Sequence, residues 1–219
     1  MFNVDRTSSQ PPSSLAFKRR YDSEDVLLEL RNIFFDKCYI CECKEPTALN
    51  VEHLRPHSGD EAKKFDWNNL YYSCARCNSI KGEGYSGIID CTDSSIDALR
   101  SIKHLPPRTP GSKIDIEATN QLPATLETAE LLDKVYNAVN TANKAITASY
   151  LRKKVFKRYN LFLRYLDVYM DELTADEKKS EAREVIGKIL KKQGEFSAFI
   201  RWLILDDENL KKDFEDFID

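Results

Sequence analysis

Glycine is scarce in this sequence, at 7 of 219 residues, about half the usual share of roughly 7%. That scarcity argues against a turn-rich β-sandwich, and with frequent Leu, Lys, Glu and Ala it points to helix. Long hydrophobic runs are missing as well. No window approaches ~18 uninterrupted apolar residues, and no apolar signal core stands at the N-terminus. The expectation is a soluble, cytoplasmic chain with no membrane partner. An excess of positive charge is also lacking: 33 basic against 36 acidic residues give a net charge of −3 and a pI near 5.8. A general nucleic-acid coat, whose domains usually sit above a pI of about 9, is excluded on that average. What is present, 42% hydrophobic and 32% charged residues over 219 positions, suits one or two globular domains.

Six cysteines stand out: Cys38, Cys41, Cys43, Cys74, Cys77 and Cys91. Four of them form two C-x-x-C pairs, Cys38/Cys41 and Cys74/Cys77, with residues 42–73 between them. A two-residue gap lets both thiolates of one knuckle face a common ion, and two knuckles complete a tetrahedral zinc site of four thiolates. Disulfides would need an oxidising compartment, and a thioredoxin-like motif would explain only one pair. Cys43 and Cys91 read as bystanders, although Cys43 is close enough to stand in for Cys41.

The segment between the knuckles predicts a strand over 49–54 from its alternation, a second over 70–73, and a helix over Ala75–Lys81 stopped by Gly82. On that hairpin and helix, Glu52, His53 and Asn78 converge. A carboxylate and an amide suit a hard divalent cation such as Mg²⁺. An imidazole with an unperturbed pKa near 6.5 suits proton abstraction from water. Carboxylate, imidazole and amide together outline a phosphodiester hydrolysis site.

The pattern Val51-Glu52-His53-x-x-Pro56, then Asn69-Leu70, then Cys74-x-x-Cys77-Asn78-x-x-Lys81 resembles the HNH endonuclease motif of the ββα-metal superfamily. The resemblance covers about residues 37–83. It implies an α+β, mostly helical fold in which a zinc-stabilised ββα-metal HNH module precedes a helical C-terminal region. It further implies Glu52 and Asn78 as ligands of a catalytic Mg²⁺ (or Mn²⁺) and His53 as the general base. Asn69 would brace the hairpin, and Lys81 would neutralise phosphate charge. Glu52 departs from the commoner Asp by one methylene. Arg55 is a candidate phosphate contact or a surface charge, and His57 a phosphate contact or a solvated loop residue. His104 lacks ligand-like spacing and reads as structural. Trp67 and Tyr71 read as packing before base stacking.

The remaining chain divides into a flexible Ser/Pro/Gln/Arg-rich segment at 1–22, the nuclease module at 23–90, an irregular connector at 91–125 and a helical region at 126–219. A helix begins at Ser23. Further helices are predicted over 126–140 and Ala142–Met170, and a third is started by the capping box Thr174-x-x-Glu177. Charge segregates there. From Lys134 to Leu166 eight basic residues occur with no acidic one. Of these, Arg152, Lys153, Lys154, Lys157 and Arg158, interleaved with aromatics, are candidate contacts to the DNA backbone; the alternative is a solvated helix face.

The module together with TAELLDKVYN and the helical C-terminus is similar to HNH proteins of bacterial anti-phage systems of the Septu type, including retron-associated versions. That likeness implies an ABC-type ATPase partner, with the apolar run 196–205 and the acidic tail serving partly as docking surfaces and partly as core. Two other functions compete: a stand-alone restriction or homing enzyme, and a catalytically silent zinc-stabilised DNA-binding or assembly module.

Overall fold

Alternation over Leu49–His53 becomes strand β1 and the aromatic run Leu70–Cys74 becomes β2, paired antiparallel with Glu52 opposite Tyr71 and His53 opposite Leu70. In this computed structural model residues 1–139 and 142–218 are described, the side chains of 142–146 excepted. Asn140 of the expected helix and the Lys144 side chain of the acid-free stretch thus lie outside the described residues. The earlier elements are α1 (Glu24–Ile33) before β1 and the one-turn α2 (Glu61–Lys64) between the strands. After β2 come α3 (Ala75–Lys81), α4 (Ala98–Ser101), β3 (Ile102–Leu105) and β4 (Asp115–Ala118). Helices α5 (Pro123–Asn137), α6 (Ala142–Met170), α7 (Asp176–Leu190), α8 (Ser197–Leu205) and α9 (Glu208–Phe214) complete the order. The fold is α+β and mostly helical. None of the described helices is long and apolar enough to cross a membrane.

The chain forms two units, one of Met1–Ile102 with Glu117–Val135, the other of Lys103–Ile116 with Tyr136–Asp219. These limits differ from divisions at 23, 91 and 126, because helix α5 and the 103–116 segment are shared out by packing rather than by composition. In the first unit α1 buries Val26 and Leu30 beneath the hairpin. Phe34, Tyr39 and Tyr71 form an aromatic cluster, with ring centroids 4.9–6.3 Å apart. The helix that follows β2 starts where expected: Cys74 caps it, its sulfur accepting from the Cys77 N–H at 3.4 Å. It stops at Gly82, whose φ of +49° favours a residue without a Cβ.

Residues 1–22 are anchored at several points. Met1, Phe2, Val4, Arg6 and Leu15 are buried, and the Val4 N–H donates to the Cys91 carbonyl at 2.9 Å. The Arg6 guanidinium lies 4.6 Å from the Trp67 ring centroid and donates to the carbonyls of Leu70 and Trp67 at 2.9 and 2.7 Å. A composition poor in helical pattern hid these few anchors. The connector likewise holds two short strands and a helical turn rather than irregular chain throughout.

In the second unit α6 packs against α7 and α8, burying Val155, Phe162, Ile186, Ile189, Phe199 and Ile200. Phe196, Phe199, Ile200 and Ile204 are therefore core, one of the two uses expected together for that run. His104 is buried with its ring edge-on to Phe199 at 5.1 Å. Helix α7 starts after Ala175 with no side-chain cap. The Thr174 hydroxyl instead donates to Asp171 at 2.7 Å, a nearer acceptor in the turn that ends α6.

Candidate active site

Cys38 and Cys41 sit in the loop after α1, Cys74 ends β2 and Cys77 lies in the first turn of α3. Their four sulfurs all lie within 4.8 Å of one another, and those of Cys41 and Cys74 are 4.0 Å apart. Sulfurs placed tetrahedrally at ~2.3 Å from zinc would be about 3.8 Å apart, so donor type and spacing both fit that ion. Cys43 stays outside the cluster, its sulfur 3.7 Å from the Lys44 carbonyl. Cys91 is buried elsewhere, and burial pushes its thiol up, away from thiolate character.

Beside the cluster, Tyr21, Glu52, His53, His57, Asn78 and Glu83 line a cleft of about 200 Å³. Strand β1 carries Glu52 and His53 at its end, and α3 carries Asn78 one turn past the cap. Glu52 is 4% exposed and pairs through Oε1 with the buried Lys81 Nζ at 2.9 Å. Its second oxygen, Oε2, is buried with no hydrogen-bond partner. Burial pushes the Glu52 carboxyl up to about 7, against the opposing pull of Lys81. A carboxylate oxygen so placed lacks a positive partner, and a divalent cation is one that oxygen chemistry would accept.

His53 Nε2 lies 3.0 Å from the Lys64 carbonyl. A carbonyl only accepts, so Nε2 carries the proton and Nδ1 keeps the lone pair. Burial lowers the His53 pKa, favouring the neutral ring that a general base needs. Two rings hold it edge-on, Tyr21 at 4.6 Å and His57 at 4.7 Å between centroids. His57 accepts the Gly59 N–H on Nδ1 at 3.1 Å, which orients its ring in the cleft wall.

Asn69 ties the segment that follows β1 to the chain before β2. Its oxygen accepts the Arg55 N–H at 2.7 Å, and its amide donates to the carbonyls of Arg55 and Lys63 at 2.9 and 3.0 Å. Lys63 precedes the residue whose carbonyl holds His53, so the brace sets the imidazole indirectly. The Lys81 ammonium, buried on Glu52 Oε1 and the His53 carbonyl at 2.9 Å each, lies behind the carboxylate. Arg55 donates through Nη1 to the carbonyls of Ser86 and Ile88 at 2.6 and 2.9 Å, so one arm of its guanidinium serves the loop after α3. Trp67 and Tyr71 are buried in the core. The five candidate cations of α6 belong to the second unit. Lys153 and Lys157 are exposed, whereas Arg152 donates to the Tyr136 carbonyl at 2.8 Å, Lys154 pairs with Glu195 at 2.5 Å and Arg158 reaches the Ile189 carbonyl at 3.5 Å.

Tyr21, like Glu83, is a cleft residue that sequence reasoning missed. It lies in a stretch without periodicity, and no spacing relates it to His53. Arg6 was missed for the same reason.

Residues 38–84 match the family model described as HNH endonuclease. A 60-residue stretch is 41% identical to the Septu protein PtuB of Bacillus thuringiensis, covering 26% of this chain and 22% of that protein. The match thus spans about a fifth of the length of the curated relative.

Proposed function

Starting from the HNH endonuclease module that the chain carries at residues 38–84, we propose a metal-dependent endonuclease that hydrolyses DNA phosphodiester bonds. The observation that carries this reading is the meeting of Glu52, His53 and Asn78 in one cleft, with Glu52 Oε2 buried and unpartnered. Cys38, Cys41, Cys74 and Cys77 would hold a structural zinc ion. Glu52 and the Asn78 amide would hold one Mg²⁺ or Mn²⁺, which when bound supplies Lewis-acid polarisation of the phosphate and charge stabilisation of the leaving oxygen.

The chain's own groups do the rest. His53 takes a proton from the attacking water on Nδ1 while its Nε2–H stays on the Lys64 carbonyl, which keeps the ring in place through the transfer. Lys81 opposes the burial that raises the Glu52 carboxyl, and it fixes one carboxyl oxygen, leaving the other for the cation. Asn69 positions the backbone that carries this acceptor carbonyl. In-line attack would leave 5′-phosphate and 3′-hydroxyl ends.

The likeness to a Septu protein supports a place as the cutting subunit of a bacterial, cytoplasmic anti-phage complex with an ABC-type ATPase partner. With a net charge of −3 the chain attracts DNA weakly by itself, which favours delivery of the substrate within such an assembly. On α6, backbone contact would fall first to the exposed Lys153 and Lys157, because Arg152, Lys154 and Arg158 have internal partners.

Plasmid cleavage with Mg²⁺ or Mn²⁺ tests the reading. His53→Ala should lower the rate by about 10²–10⁴-fold, the usual contribution of a general base. Equal cleavage by wild type and variant would overturn it.

A further inference from the structure

The second unit contains a recess of whose wall the nuclease reading uses only the exposed Lys157. Lys154, Lys157, Arg158, Leu161 and Arg164 share one face of α6 at helical spacing, and with Glu195 they border a hollow of about 350 Å³. Small-molecule sites fall at roughly 300–1,000 Å³. Four cationic side chains meet a single carboxylate there, and that carboxylate is engaged by Lys154 at 2.5 Å.

Arg158 is the centre of the arrangement. Its Nε is buried without a hydrogen-bond partner, and its Nη2 reaches the Ile189 carbonyl only at 3.5 Å. Burial pulls its pKa down, with Glu195 opposing, so this half-buried guanidinium has lost part of its water, most completely at Nε, and holds the Ile189 carbonyl only at long range. Gly194 makes room for it: a Cβ there would lie 3.1 Å from Arg158 Nη2. A partly desolvated, under-bonded guanidinium in a cation-lined hollow is completed by a compact anion with several acceptor oxygens.

We propose that this recess binds a free phosphate-bearing small molecule of nucleotide size, with its phosphates on Arg158 and Lys157 and its less polar part against Leu161. A duplex backbone would call for cations running along an open surface, yet these converge on one hollow. Lys153, the exposed lysine beside them, is not part of its wall.

The test is calorimetric titration of the full chain, without added divalent metal, using inorganic pyrophosphate and ADP as probes and a DNA duplex in parallel. Wild type should bind both probes saturably. Arg158→Gln and Gly194→Ala should each weaken probe binding about tenfold or more, and Glu195→Gln should tighten it several-fold by releasing Lys154 and removing a competing anion. Duplex affinity should be unchanged in Gly194→Ala. Absence of saturable probe binding, a Glu195→Gln variant that binds no more tightly, or a parallel loss of probe and duplex binding in Gly194→Ala would each overturn the proposal. Melting temperatures accompany every variant. Should Arg158→Gln melt early, the charge-neutral Gly194→Ala and the loss of a carboxylate in Glu195→Gln decide the matter.

Discussion

The two units solve the same problem, holding a shape in water, with different materials. The first has short strands and a seven-residue helix at its site, and it buries charged groups (Arg6, Lys37, Glu42, Glu52, Lys81) beside a cluster of four cysteines. The second stacks the 29-residue α6 on α7 and α8 around mostly aliphatic and aromatic side chains, with Arg201 as the buried charged group among its described residues. Buried ions stabilise little in themselves, since desolvation offsets their attraction, but a broken pair is costly. The first unit therefore accepts a fragile interior to place a carboxylate, an imidazole and a set of thiols. The second, among its described residues, pairs Lys154 with Glu195 where water still reaches both.

The largest expected effect separates the units by metal. Removing zinc with a chelator, or replacing Cys41 by Ser, should unfold the first unit, because structural zinc contributes ~10–16 kcal/mol of apparent binding free energy in small sites. Far-UV circular dichroism should retain the helical signal of α6–α8. Loss of that signal in step with zinc would mean that the second unit has no stability of its own.

A smaller effect compares two ion pairs. Lys81→Met leaves Glu52 buried without its partner and should cost about 3–5 kcal/mol in denaturant unfolding. Lys154→Gln, in a pair whose members are 28% and 26% exposed, should cost about 1 kcal/mol or less. Equal costs would erase the contrast between the units.

The smallest concerns pH. Asp25, at the start of α1, accepts from the Ser14 hydroxyl at 2.7 Å, and hydrogen bonds from Ser14 and Ser23 hold its carboxyl down at about 2. A folded-state pKa below the unfolded one gives stability that is present above the ordinary carboxylate range and lost as pH falls toward 2. Between those limits Asp25→Asn should lose less stability than wild type on acidification. Parallel acid-unfolding curves would remove Asp25 from the account.

Local pattern made much of the first unit legible. The two C-x-x-C gaps, the alternation around Glu52 and His53, and Gly82 after Lys81 each express a short-range rule, and α3 runs over Ala75–Lys81 as those rules require. Thr174 shows the limit of such rules, because an acceptor from the preceding turn takes its hydroxyl. Segment 1–22 shows another, since Phe2, Val4 and Arg6 are fastened by contacts across the chain that no periodicity records.

The sequence by itself determined that four cysteines could share an ion and that a carboxylate, a histidine and an amide could meet on a hairpin and helix, because spacing sets which residues share a face. What the cations do depends on packing in three dimensions. Lys81 lies behind Glu52 rather than free in the cleft, Arg55 commits one nitrogen to loop carbonyls, Arg152 donates to backbone within its own unit, and Tyr21 arrives beside His53. A charge written in a sequence has no partner until folding removes its water, and the cost of that removal selects the partner.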